Sequence, residues 1–288
     1  MGLIIKNISV SLLPEDGSVK NAAIASKKCI EPFRSKKKQI NIIINTGIYR
    51  DYNIVEPAMA TFIQKELALN TDFSSTKGER TFSFDIINGS SGFIYAAFSL
   101  DSLCFNQKIK NALIIASDGN LEEKYNHFLN SGSAVLLSYS KGKNGFKDFF
   151  FKTSKERNNG VSVFFDCKKG EDSRLTKTIF DNKYREKLFN FSLETTKEYI
   201  NNKNIDLNKT KIITSVTDSE FLTSFANKIG FLEGTVIDTY SYYGRLHSTS
   251  LSFGYYLALK EKKIKKGDQV LFIGFGAGLT CAYALYIV

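Results

Sequence analysis

The chain carries only two histidines, His127 and His247, and four cysteines along its 288 residues. Cys29, Cys104, Cys167 and Cys281 sit far apart with no paired spacing. That is neither a zinc pattern nor a disulfide framework, so no metal and a reducing compartment are expected. With two histidines, any reaction that needs an imidazole base must use one of these two. Nowhere do about 18 apolar residues run uninterrupted, as a membrane-spanning helix would need. At the start, Lys6 and Asn7 follow directly on the apolar run Leu3–Ile5, which is too short for the core of a signal peptide. A cytoplasmic protein with no membrane partner is the expectation.

What is present is a large apolar and aromatic inventory. Apolar residues make up 43%, and Phe and Tyr contribute 24 and 14 side chains. The length suits two fused halves of about 140 residues, each able to bury a core without metal or disulfide. The formal charge is +10. Basic residues gather at Arg34–Lys38, Lys141–Arg157 and Lys260–Lys266, but no stacking aromatics are interleaved in a nucleic-acid motif, so no nucleic acid is expected. The charge reads either as a general richness in Lys, Asn and Ile or as a field that draws an acidic carrier protein or coenzyme A phosphates.

Short apolar runs alternate with amphipathic segments, the pattern of α/β layering. Strands are expected at Leu3–Val10, Gln39–Asn45, Thr81–Ile87, Ala112–Ser117 and Ser133–Ser138, with helices at Val19–Ile30, Glu56–Leu69 and Gly92–Phe105. The stretch Lys141–Gly160, rich in Lys, Gly and Asn, breaks the pattern around Phe149–Phe151. Order resumes with strand Val161–Phe165, a long helix near Thr176–Asn201, strand Lys211–Ser215 and helix Ser219–Ile229. Strand Thr235–Thr239, helix Ser248–Lys262, strand Gln269–Phe275 and an apolar segment to Val288 follow. Both halves carry the same rough order of elements. The division expected is residues 1–158 and 159–288.

The clearest motif is Gly267-Asp268 followed by an apolar strand and Gly274-Phe275-Gly276-Ala277-Gly278. A dinucleotide-binding turn requires a helix and a second strand after it, and only ten residues follow Gly278. These glycines must serve close packing or turning of the backbone instead. The segment resembles the C-terminal signature of ketoacyl-ACP synthase III, in which such a turn lies beside the active site. Three further stretches are similar to that family in order and spacing. They are Tyr243-Gly244 ahead of Gly267-Asp268, Phe84–Phe93 around the nucleophile position, and Asn45-Thr46-Gly47 through Arg50-Asp51 to Glu56-Pro57-Ala58. The last of these resembles the olefin-pathway enzymes that condense two acyl chains. The resemblance covers Ile40 to Val288 and implies a thiolase fold: two pseudo-duplicated α/β halves in an α-β-α-β-α sandwich.

That family works with a cysteine, a histidine and an asparagine. Here the cysteine position falls on Ser90, the histidine position on Ser215 and the asparagine position on Arg245. A serine hydroxyl needs an adjacent base to attack anything. The stretch Glu15–Lys38 is also shorter than the family's segment at the substrate mouth. Ser90 reads as a small remnant, or as a nucleophile in a Gly-x-Ser-x-Gly-like turn whose first glycine is missing. His247 is the better base, lying two residues past the asparagine position, and His127 reads as a surface residue. Arg245 is expected to bind a phosphate or carboxylate, or to fill the emptied pocket beside an acid such as Asp218. Glu56 either reaches in trans into a partner's pocket, as the resemblance implies, or stands as a helix-start carboxylate.

The expected function is a non-catalytic structural or regulatory subunit of a heterodimeric ketoacyl-ACP synthase III-like acyltransferase. It resembles the degenerate chain of the alkylquinolone type and would serve a specialised-metabolite or fatty-acid-like pathway. Its partner is then a cysteine-bearing paralog, with acyl carrier protein or acyl-CoA as further partners and no cofactor. The alternatives are a self-sufficient acyltransferase using Ser90 and His247, and a scaffold that binds acyl-CoA or a carrier protein.

Overall fold

The computed structural model describes residues 2–14, 16–33, 39–51, 56–71, 80–104, 109–119, 128–156, 161–165, 176–216, 218–276 and 278–288. Its first part supplies β1 (Gly2–Ser11), α1 (Ser18–Ile30), β2 (Ile40–Asn45), α2 (Met59–Glu66), β3 (Phe82–Asp85), α3 (Gly92–Cys104), β4 (Asn111–Asp118) and β5 (Ser131–Ser140). The remainder supplies β6 (Gly145–Thr153), β7 (Val161–Phe165), β8 (Thr176–Phe180), α4 (Tyr184–Lys203), β9 (Thr210–Thr214), α5 (Ser219–Ile229), α6 (Thr239–Tyr243), α7 (Ser250–Lys260), β10 (Gln269–Gly276) and β11 (Thr280–Ile287).

One pairing scheme is used twice. In the first sheet, β1 runs antiparallel to β5, β5 antiparallel to β4, and β4, β2 and β3 continue in parallel. In the second, β6 runs antiparallel to β11, β11 antiparallel to β10, and β10 and β9 continue in parallel. The place of β3 is taken in the second sheet by a single parallel bridge from Ile212 to Val236. The strand expected at Thr235–Thr239 is reduced to that bridge. Ile212 spends its amide on Thr235 and its carbonyl on Ile237, and Asp238 then caps α6 through Ser241. The shared scheme is the pseudo-duplication expected from the order of apolar runs.

Three apolar cores separate the layers. The central one joins α3 (Phe93, Ile94, Ala97, Leu100) and α7 (Leu251, Tyr255, Ala258) to the facing sides of both sheets. A second holds α1 and α2 on the outer face of the first sheet, and a third holds α4 and α5 on the outer face of the second. The layers therefore run α-β-α-β-α. Burial of a side chain such as Phe272, which meets Phe93 at 5.6 Å and Tyr255 at 5.8 Å, supplies the cohesion between layers.

Three further expectations need correction. Residues 145–153 form a strand rather than a break, because the aromatic run serves both faces of β6. Phe149 and Phe151 pack on Phe98 of α3, whereas Phe150 stacks on Tyr199 of α4. A strand covered on both faces reads as a continuous run instead of an alternation. This strand belongs to the second sheet. The long helix begins at Tyr184, since Thr176–Phe180 pairs with β7. The helix expected from Glu56 begins at Met59, after Glu56-Pro57.

Candidate functional site

Three chain segments converge at the start of α3. The chain leaves β3 and turns at Gly89, whose φ of +52° is left-handed and suits glycine, then presents Ser90 two residues before the helix. From below, β10 approaches so closely that a Cβ on Gly274 would sit 2.8 Å from Ser91 Cα. A Cβ on Gly276 would sit 2.4 Å from Asn88 Oδ1. The glycines expected to serve close packing do so here, and the antiparallel return of β11 replaces the dinucleotide helix. Ala277 lies outside the described residues. From the side comes Ser215, at the end of β9, its amide bonded to the Ile273 carbonyl at 2.9 Å.

These segments are closed by hydrogen bonds among themselves. Ser90 Oγ donates to the Phe275 carbonyl at 2.8 Å and lies 3.0 Å from Ser215 Oγ. Ser215 Oγ in turn accepts from the Phe275 amide at 2.9 Å. Both serines are buried. Ser90 and Ser215, 125 residues apart in the chain, thus meet. What they form is a neutral ring in which both hydroxyls and both polar groups of Phe275 are satisfied. The proton of Ser90 rests against a carbonyl oxygen, which has no basicity to remove it, so nothing in the ring activates the hydroxyl.

Arg245 stands outside this ring. It is exposed, with its guanidinium carbon 5.3 Å from the centre of the Phe128 ring. It neither fills an emptied pocket nor pairs with Asp218, and both of those expectations are corrected. Asp218 instead accepts from Arg185 at 2.9 Å and caps α5 through the Phe221 amide at 3.0 Å. A guanidinium on a four-atom stem gains more from an aromatic face at the surface than from burial without a carboxylate.

His247 belongs to another cluster. Its ring packs against Tyr49, at 4.9 Å, and Phe128, at 4.7 Å, which also stack on each other at 5.3 Å. Its Nδ1 lies 3.8 Å from Asp118 Oδ1. Asp118 is buried at the end of β4 and accepts from the Ser248 amide at 2.7 Å and the Ser248 hydroxyl at 2.8 Å. The Tyr49 amide adds a further bond at 3.3 Å. Burial pushes the Asp118 carboxyl up, but His247, Ser248 and Tyr49 outweigh it and hold the group below the usual carboxylate range. Through Asp118 the loops after β2 and β4 are tied to the start of α7. Among the described residues the Ser90 hydroxyl bonds to Ser215 and Phe275, whereas the His247 ring lies with Tyr49, Phe128 and Asp118. The pairing of Ser90 with His247 is not formed. His127 lies outside the described residues.

Glu56 is exposed just ahead of α2, and the free amides of that helix go to another acid. Asp85, at the end of β3, accepts from Met59 and Ala60, each at 2.9 Å, and pairs with buried Arg50 at 2.9 Å. Cys29 and Cys281 are buried, and burial pushes both thiols up to about 12. Neither offers a thiolate near neutral pH. Among the described residues no three His, Cys, Asp or Glu side chains gather as a metal site.

Sequence reasoning missed Asp85, Asp118 and the aromatic partners of His247. Asp85 stands inside the Phe84–Phe93 motif, and Asp118 closes a buried apolar strand. An acid in such a place must have donors, which is the signal that was available.

Comparison with known proteins agrees with this geometry. Residues 204–287 match the family model for the C-terminal part of 3-oxoacyl-[acyl-carrier-protein] synthase III. The chain is similar to beta-ketoacyl-[acyl-carrier-protein] synthase III of Wolbachia pipientis, 28% identical over 274 residues that cover 90% of this chain and 80% of that one. The enzyme of the same name from Clostridium perfringens is 26% identical over 286 residues, covering 92% and 82%. Among solved structures, 3-oxoacyl-[acyl-carrier-protein] synthase III from Aquifex aeolicus superposes with a TM-score of 0.80 at 19% identity, with both chains covered completely. A Xanthomonas campestris OleA variant superposes with a TM-score of 0.81 at 13% identity, covering 100% of this chain and 99% of that one. The chain is thus similar to ketoacyl-ACP synthase III over most of its length, matches that family's model over its C-terminal part, and has the thiolase fold of those enzymes.

Proposed function

We propose that this chain is a non-catalytic subunit of a heterodimeric ketoacyl-ACP synthase III-like condensing enzyme whose chemistry is carried by a cysteine-bearing paralog. The observation that carries the reading is the closed ring of Ser90, Ser215 and Phe275. A condensing enzyme of this family needs a thiolate there, with an imidazole and an amide to handle the second thioester. This chain offers two hydroxyls that satisfy each other, and Arg245, at the asparagine position, is turned to the surface.

The edge of the first sheet supports a partner. Among the described residues β3 pairs with β2 on one side only, and Phe82 is 65% exposed and Ile87, just past the strand, 51% exposed. An unpaired strand with large apolar side chains in water is a ready surface for another chain. A second thiolase-like protomer docking there would place Glu56, on the neighbouring loop, close to its own pocket. Acyl-CoA or an acyl carrier protein would then be met by the complex, with the paralog receiving the acyl group.

The test is co-expression with a cysteine-bearing paralog. The reading predicts a one-to-one complex whose condensing activity disappears when the paralog's cysteine is replaced and survives Ser90→Ala. A complex that forms with no such paralog, or activity that follows Ser90, contradicts it. The serine enzyme has no observation in its favour, since the Ser90 proton meets a carbonyl and His247 is committed to Asp118.

A further inference from the structure

The end of the molecule opposite the serine ring carries a feature that the family reading does not use. From Gln269 to Phe275 the chain climbs six strand residues, about 20 Å, so the turn before β10 is remote from Ser90 and Ser215. That turn, with the last residue of α7, reads Lys260-Glu261-Lys262-Lys263-Ile264-Lys265-Lys266. Its five lysines are all exposed, while Ile264 is buried and anchors the turn to the central core. Among the described residues these lysines form no ion pair. Of the neighbouring lysines, Lys203 pairs with Asp148 and Lys209 with Asp206, and Lys211 donates to the Gly234 carbonyl.

The short helix α6 adjoins this turn. Lys263 Nζ stands 5.4 Å from the centre of the Tyr242 ring, which fixes the two elements side by side. Tyr242 is 52% exposed, Tyr240 37% and Leu259 39%. The patch therefore combines free ammonium groups, tyrosine rings with one face in water and a single aliphatic side chain. Only Glu261 and Asp268 oppose the five lysines within residues 260–268.

We infer that Lys260–Lys266 together with Tyr240 and Tyr242 forms a docking surface for an anionic lipid bilayer. Lysines near a negatively charged leaflet each add roughly five-fold to partitioning, and tyrosine rings favour the interface between headgroups and acyl chains. All the cations of this surface are lysines, point charges without the planar fork that arginine offers to nucleic-acid bases and phosphates. No helix of the described residues is long and apolar enough to cross a membrane, so the contact is peripheral.

Vesicle flotation tests this with the full chain. It should float with phosphatidylcholine vesicles containing phosphatidylglycerol, remain unbound with pure phosphatidylcholine, and be released by raised salt. The triple variant Lys262→Ala, Lys263→Ala, Lys266→Ala should lose about 100-fold in partitioning. Lys20→Ala, Lys155→Ala, Lys183→Ala removes the same charge from exposed positions away from this turn and should lose less than ten-fold. Tyr242→Ala should weaken binding without altering its salt dependence. Circular dichroism checks that each variant is folded. Failure to float with anionic vesicles overturns the inference, as does an equal loss in the two triple variants. A short DNA duplex that binds through the same three lysines when vesicles do not would reassign the surface to nucleic acid.

Discussion

At Ser90 one hydroxyl holds together two strands that belong to the second half of the chain. Its bond to the Phe275 carbonyl and its contact with Ser215 join the start of α3 to the ends of β10 and β9. Ser90→Cys puts a better nucleophile at a helix start, where a thiol's pKa is lowered. It brings no imidazole and no amide to polarise a malonyl thioester, a role worth about 3 kcal/mol per donor. The variant should therefore take up acyl groups as thioesters and yield no malonyl-dependent product by mass spectrometry. Product from this single replacement would mean that Ser215 and Arg245 are not the positions that matter. Asp118 is the other residue on which much rests. Its folded carboxyl is held below its ordinary value, so its contribution is full above about pH 4, the unfolded value, and is lost as pH falls through the folded one. Asp118→Ala should cost about 3 kcal/mol in urea unfolding at pH 7, by leaving Ser248 and Tyr49 donors unpaired. The gap from wild type should close in strong acid.

Among the elements, the contact of β10 with α3 sets how closely the second sheet meets the central layer. Gly274→Ala would place a methyl 2.8 Å from backbone at Ser91. Overpacking of that kind costs roughly 1–3 kcal/mol, so a lowered melting temperature by calorimetry is expected. A melting temperature equal to wild type would mean that β10 is free to draw back. The same contact shows what could be read in advance. Gly274 and Gly276 announced close packing by their spacing, and both meet α3's start in the structure. Helix α5 was legible from end to end because Asp218 and Gly230 punctuate it at both ends. β6 was not, since a strand buried on both faces loses its alternation and a flank of Lys, Gly and Asn resembles a loop. The bond between Ser90 and Ser215 was not expected, since the resemblance placed the two serines without joining them. The surface position of Arg245 and the Asp118 knot depend on contacts between residues more than 100 apart, which no local pattern carries.

The whole molecule has the layers of the ketoacyl-ACP synthase III fold around a closed ring of Ser90, Ser215 and Phe275. On the proposed reading, the neighbouring protomer keeps the chemistry and this one keeps the surfaces. In a heterodimer, Glu56→Ala should leave assembly intact and lower the partner's turnover at least ten-fold, and Glu56→Gln should do the same if charge is what matters. Full activity in both variants would reduce Glu56 to a loop residue. Ile87→Lys, on the exposed edge of the first sheet, should instead abolish the complex on size exclusion while leaving the chain folded. The most direct test of the central claim is intact-mass spectrometry of the purified chain after incubation with acyl-CoA, followed by a condensation assay with malonyl carrier protein. The account predicts an unmodified mass and no product. An acyl adduct that maps to Ser90 and vanishes in Ser90→Ala would contradict it.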